Sequence, residues 1–443
     1  MSSASNQSPH RVPRLRWSIA WLLGLGVLIN YLDRISLSVA GPQLERAFHL
    51  SPIELGMLFS AFFWSYAALQ MPVGVVIDRL GVTRVGRLSA LLWSAASALT
   101  ACARGFGSIF LSRILLGIAE APSFPASAKA TGYWFPRTER SLATSLYDVG
   151  AKFSNVVGVP LVALVVVRLG WRWGFGVVAA LSLVYFVVFY LVYQDPSKHP
   201  RLTGEERRYL VDQGAAPEGL PSETATGMLA YLLGTRKVWS LAIGFGAYGY
   251  SFYLFLTWLP DYLVHTMHRS ILASAGFAAI PWVCASAADL LVGGWLIDAL
   301  VSRGWNGTGV RKCVLILGMC AGVSVLGAAA THRPAIALCW ISLALSGLSA
   351  AAPVAWSLPS LIAPKGGIGT VGGIMNFSNN MMGVLAPIVT GFIVAGTHSF
   401  VDAFLVAGLV LLAGVASLIF LLGRIEPLPD PAPARSGQER TGR

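Results

Sequence analysis

Seven ionisable side chains stand inside long apolar stretches of this 443-residue chain: Asp33, Arg34, Arg113, Glu120, Asp148, Lys152 and Asp289. In a bilayer such groups cost several kcal/mol or find a cavity and a partner, so they mark function. In NYLDRISLSVAGP, Tyr31 and Arg34 are three residues apart and share a helical face, whereas Asp33 is rotated by about 100°. Arginine stays charged everywhere, and its planar fork fits a carboxylate bidentately. Arg34 is therefore the expected anion-binding group. The alternative, that it only neutralises Asp33, has against it that adjacent helix residues do not face one another.

In LSRILLGIAEAPSFPASAKATGYWFP, Arg113 and Glu120 are two turns apart on nearly one stripe, about 10 Å in rise. Burial favours the neutral acid and a nearby arginine the ionised one, which is the tension that proton coupling needs. A permanently ionised structural pair of Glu120 with Arg34 or Arg113 is the competing reading. Asp148 and Lys152 in SLYDVGAKFSNVVGVP are spaced to pair with each other, with Asn155 one turn on. Lys152 is either satisfied by Asp148 or, facing a cavity, a second cation for a dicarboxylate. Later come Tyr248, Tyr250, Tyr253, Trp258, Trp356, Ser357, Asn376, Asn379 and Asn380. Three asparagines on one apolar helix need partners and fit hydroxyl or carboxylate recognition. Tyr253, Ser357 and Asn380 are the candidates for substrate contact, the other aromatics for packing. Asp289 fits a gate or an interhelical bond better than a substrate contact.

The elements that carry these residues are membrane spans. Hydrophobic residues make up 55% of the chain and charged residues 12%, which is wrong for a soluble domain. Runs of roughly 20 apolar residues predict twelve spans: 17–41, 55–77, 86–103, 107–132, 141–167, 173–193, 238–264, 272–297, 313–330, 335–361, 367–396 and 399–423. The first is too long, and too polar near Asp33, for a cleaved signal sequence. An all-α polytopic protein follows. Its expected parts are a tail 1–16, a six-helix bundle 17–193, a linker 194–237 holding one short amphipathic helix, a second bundle 238–423 and a tail 424–443.

The net charge of +12 is explained by topology. With both termini and the linker cytoplasmic, the only outward-loop cations are Arg46, Arg104, Arg168, Arg172, Arg269 and Arg333, as the positive-inside rule requires. Nucleic-acid binding is excluded on this distribution. The five cysteines lack CxxC spacing, so they predict neither disulfides nor a zinc site and are expected as small core residues. No histidine lies deep in a span and no Walker loop is present. An enzyme, a cofactor and ATP-driven pumping are not expected.

The two halves echo each other. Span 2 ends in GVVIDRLGVTRVGR, with Gly74, Asp78, Arg79, Gly81, Arg84 and Arg87, and span 8 ends in GGWLIDALVSRG, with Asp298. A close-packing glycine, an acid at a helix end and basic partners read as a gate latch, and internal repeats point to two bundles rocking about a midplane site. The first string resembles the loop 2–3 signature of the major facilitator superfamily. NYLDR, the span-4 Arg-to-Glu spacing with P-x-F-P-A and YWFP-x-x-ER, and FYLFLTWLP-x-YL in span 7 are similar to the anion:cation symporter family, across roughly residues 15–425. Its members include bacterial sugar-acid and aromatic-acid permeases, sialin and vesicular glutamate transporters. The resemblance implies a substrate carboxylate on Arg34, proton coupling through Asp33 and Glu120 with Arg113 nearby, and cavity aromatics at Tyr31 and Tyr66. The basic span-7 residue of the vesicular members has no counterpart here, which weakens a glutamate reading. The expectation is a monomeric plasma-membrane symporter of protons and a small organic anion. A drug or metabolite antiporter of the same fold is the alternative, opposed by a cationic cavity.

Overall fold

The computed structural model describes residues 14–136, 139–213, 215, 228–267, 270–331, 333–364 and 367–430. The side chains of Asp78 and Asp298, both expected at the gate, lie outside the described residues.

Helices account for all the regular structure described. They are α1 (Leu15–Phe48), α2 (Pro52–Leu80), α3 (Val82–Ala101), α4 (Phe106–Glu120), α5 (Ser123–Trp134), α6 (Arg140–Leu169) and α7 (Trp171–Val192), then the linker helices α8 (Gly204–Asp212) and α9 (Met228–Leu233). After the linker come α10 (Arg236–Met267), α11 (Ile271–Ala288), α12 (Ile297–Ser302), α13 (Gly307–Gly322), α14 (Val325–Ala329), α15 (Pro334–Ile362), α16 (Ile368–Thr397) and α17 (Val401–Phe420). Ten helical segments are long and apolar enough to cross a bilayer on composition alone. Helices α3 and α10 complete twelve, α3 diluted by Arg84, Arg87 and serines, α10 by tyrosines and Asp261.

Three expected spans are not single α-helices. Span 4 breaks between α4 and α5, because Pro122 offers no amide hydrogen to the preceding turn and Glu120 is left as the last residue of α4. Span 8 widens into a π-helical stretch, Asp289–Leu296, which starts at its one acidic residue. Span 9 is interrupted between α13 and α14. Helix α1 also runs well past the predicted apolar segment. The cysteines are a further correction. All five are free and exposed on helix surfaces, as lipid tails leave a small apolar residue no reason to seek the core.

Close packing joins the two sets of helices at the end remote from the linker. A Cβ on Gly56 of α2 would stand 2.5 Å from the Pro387 carbonyl oxygen of α16, and one on Gly391 would stand 2.6 Å from that of Pro52. Only glycine allows that approach. Nearby, Ser38 of α1 donates to the Thr257 carbonyl of α10, and Phe59 meets Trp258 edge-on at 5.1 Å. At the linker end Gly74 of α2 and Gly369 and Gly373 of α16 face open space. The two sets of helices are thus packed together at the end remote from the linker.

The linker is clasped to this frame. Thr203 caps α8, whose buried Glu206 accepts from the backbone and side chain of Arg16, while Arg16 also pairs with Glu139 at 2.7 Å and Tyr209 donates to Glu139. This hydrogen-bonded arginine holds the Glu139 carboxyl below the usual carboxylate range.

Candidate functional site

The centre of the molecule is built on Arg34. Its side chain is 5% exposed and its Nε and Nη2 donate to one oxygen of Glu120 at 3.2 and 3.1 Å. Nη2 also reaches Asn30 Oδ1 at 3.2 Å, one turn back along α1. Three rings frame the guanidinium: Tyr31 at 4.7 Å, Phe62 at 4.4 Å and Tyr66 at 4.9 Å from centroid to Cζ. Weakly hydrated arginine tolerates such a setting where lysine would not. The remaining nitrogen, Nη1, makes no hydrogen bond among the described residues and is not sealed away.

Glu120 is fully buried, and its second oxygen, Oε1, is an orphan acceptor with no partner. It is placed there by the break at Pro122, at a helix C-terminus whose partial negative charge gives no support to a carboxylate. Arg34 is its ionic partner; Arg113 is not. Arg113, two turns earlier on α4, donates to the Asp33 carbonyl at 2.9 Å and lies over Phe175, with Nε and Nη2 buried and without a partner among the described residues. Asp33, about 100° around α1 from Arg34, accepts from Ser97 of α3 and from Ser182 of α7, the latter at 3.1 Å.

Lys152 resolves both of its expected readings in an unforeseen way. It bonds Asp148 at 3.0 Å, as the spacing predicts, and also Asp289 of the π stretch at 2.6 Å. The second bond ties α6 to the other set of helices. Tyr31 lies within electrostatic reach of both Arg34 and Lys152, so one central region holds both cations. Asn155 does not join them; it donates to the Ala151 carbonyl.

Opposite Arg34, Tyr253 donates to Asn380 at 3.3 Å and accepts from Asn379 at 3.2 Å, and its ring contacts Phe63 at 4.4 Å. Asn380 also bonds Asn376. The hydroxyl of Ser357 donates to its own helix at Val354. At the gate, Gly81 adopts φ +80°, a conformation that asks for glycine and lets α2 turn sharply into α3. Arg79 and Arg84 are exposed there. A Cβ on Gly74 would meet nothing within 4 Å, so the expected close glycine contact is not made. Sequence reasoning missed Asn30, Phe62, Ser97 and Ser182. Asn30, four residues before Arg34, carried a usable signal; the others are brought in by packing.

Buried charges gathered between two groups of spanning helices fit a multi-pass transporter, not an enzyme. Residues 23–387 match the family model of the Major Facilitator Superfamily, and the chain belongs to that superfamily. It is 40% identical over 424 residues to the uncharacterized transporter YybO of Bacillus subtilis, covering 95% of this chain and 97% of that one. It is 31% identical to the probable galactarate/D-glucarate transporter GarP of Escherichia coli, covering 93% and 95%. To an Escherichia coli D-galactonate transporter it is 32% identical, covering 93% and 97%. The fold matches a bacterial homologue of the lysosomal transporter Spinster, solved inward-facing, with a TM-score of 0.69 at 17% identity, covering 92% and 95%.

Proposed function

We propose that this protein carries a small organic anion, of the sugar-acid kind, across the plasma membrane together with protons, as a monomer whose halves, 17–193 and 238–423, rock about Arg34. The observation that carries the reading is the guanidinium of Arg34: buried, ring-framed, held along one edge by Glu120 and Asn30, and free at Nη1. A substrate carboxylate docks at Nη1, and gains Nη2 as well by displacing Asn30. The relatives named for galactarate, glucarate and galactonate support this class of cargo. Tyr31, Tyr66, Tyr253, Asn380 and Ser357 are suited to hydroxyl groups along such a molecule.

Charge counting supports the proton. One arginine facing both a substrate carboxylate and an ionised Glu120 leaves a buried negative charge in excess; a proton on Glu120 cancels it and gives orphan Oε1 an O–H in place of a bare lone pair. Anion and proton then strengthen each other's binding, as linkage demands. Asp33, with Arg113 across its carbonyl, is the second acid of this group. Loop 2–3, with Gly74, Asp78, Arg79, Gly81 and Arg84, and the echo at Asp298 form the latch that closes when the linker side shuts. With the linker cytoplasmic, the end packed through Gly56 and Gly391 is the outward one.

The test is uptake of labelled galactonate and galactarate into proteoliposomes under an imposed pH gradient. Arg34→Lys keeps the charge and loses the fork, so uptake should fall at least tenfold at normal expression. Unchanged affinity in Arg34→Lys overturns the assignment.

A further inference from the structure

At the closed end, opposite the linker, the structure contains a second polar cluster that plays no part in the transport scheme above. A cavity of about 510 Å³ opens there, walled by Leu55, Trp258 and Phe400 and by Glu45, Asp261 and His265. Asp261 and His265 lie one turn apart on α10, and Glu45 faces them from the end of α1. One donor atom from each of the three lies within 4.8 Å of the others. Asp261 is only 3% exposed, and its Oδ1 is buried with no hydrogen-bond partner. A carboxylate oxygen left without a donor beside a second carboxylate and an imidazole lacks a cation.

The imidazole is already set for that task. His265 Nδ1 lies 3.1 Å from the Asp261 carbonyl oxygen and 3.3 Å from Asp261 Oδ2. A metal ion takes this ring nitrogen by displacing the proton that His265 shares with Asp261, and that proton is released to water on the half-exposed side of the ring. One imidazole nitrogen and two carboxylate oxygens suit divalent zinc or manganese, and tetrahedral zinc at about 2.0–2.1 Å per bond needs its donors about 3.4 Å apart. The donors, within 4.8 Å of one another, would have to draw inward on the ion.

We propose that Glu45, Asp261 and His265 form a binding site for a divalent transition-metal ion that clamps α1 to α10 and locks the transporter closed at this end. Glu45 belongs to the first set of spanning helices and the other two ligands to the second. Opening this end separates them, so the metal binds the closed state selectively. At 100 times its dissociation constant such an ion shifts the equilibrium toward that state by about a hundredfold.

The experiment uses purified, untagged full-length protein and zinc chloride. Calorimetry should give one saturable site per chain, and Glu45→Gln and His265→Asn should each weaken it by at least about tenfold. Both positions are at helix ends facing water, so neither change threatens folding. In proteoliposomes, zinc should block counterflow in the wild type, EDTA should restore it, and His265→Asn should transport with or without zinc. Absence of saturable binding, or binding that survives both substitutions, overturns the site. Binding that depends on these residues and leaves counterflow untouched overturns the clamp.

Discussion

Replacing Lys152 with methionine should change which way the transporter faces. Lys152 is 9% exposed and Asp289 6%, and the 2.6 Å bond between them joins α6 to the π stretch after α11. Asp148, 39% exposed, can rehydrate when the lysine is lost, but Asp289 cannot: its Oδ1 is already an orphan and its Oδ2 would become one. Stranding one partner of a buried ion pair costs about 3–5 kcal/mol. That cost falls on the conformation in which α6 encloses Asp289, the one packed shut at the end remote from the linker. At about 3 kcal/mol, the population of that conformation falls by up to about a hundredfold relative to alternatives in which Asp289 reaches water. A single cysteine at Gly373, where nothing lies within 4 Å, reports it through alkylation in an otherwise cysteine-free background. Alkylation should slow sharply in Lys152→Met and recover in the Lys152→Met, Asp289→Leu double variant, because removing both charges of a buried pair is close to neutral. Equal alkylation in Lys152→Met and wild type refutes the latch, as does a double variant as slow as the single one.

Glu120→Gln reproduces the protonated acid, so it should retain counterflow of labelled anion and lose accumulation driven by a pH gradient; accumulation at the wild-type level would move the coupling role to Asp33. The linker clasp should be acid-labile. Because Arg16 lowers the Glu139 carboxyl, its contribution is complete above the ordinary carboxylate range and is lost only as pH falls through the depressed value. The melting-temperature gap between wild type and Glu139→Gln should therefore be flat from pH 7 to about pH 5 and narrow below that.

The spanning helices and the charges on them were legible because lipid imposes a simple rule: long apolar runs become helices, and each charge within them needs a reason. The direction of Arg34 away from Asp33 followed from the 100° step along a helix, and the reach of Lys152 to Asp148 from a four-residue spacing. What stayed hidden depends on docking between distant segments. Nothing in span 4 told whether Glu120 would answer to Arg34 or to Arg113. Docking decides it: α4 stays one helix through Glu120, and α1 offers Arg34 to Glu120 and the Asp33 carbonyl to Arg113. Likewise Ser97 and Ser182 are ordinary serines until α3 and α7 carry them to Asp33, and the burial expected of the cysteines fails because lipid and protein interior are equally apolar.

The two central cations differ in a way that assigns them different tasks. Lys152 already answers to two carboxylates, so a third, brought by a substrate, would have to displace Asp148 or Asp289 and raise the local negative charge. Arg34 answers to one, along one edge, and keeps a free nitrogen at the other. An incoming anion therefore meets an open donor at Arg34 and a closed one at Lys152. A monocarboxylate needs only the first. A dicarboxylate with a second group long enough to reach Lys152 gains there only by releasing Asp289, and releasing Asp289 loosens α6 from the opposite helices. Binding of the longer acid and the change of facing would then be one event, whereas for the shorter acid the latch must open without that help.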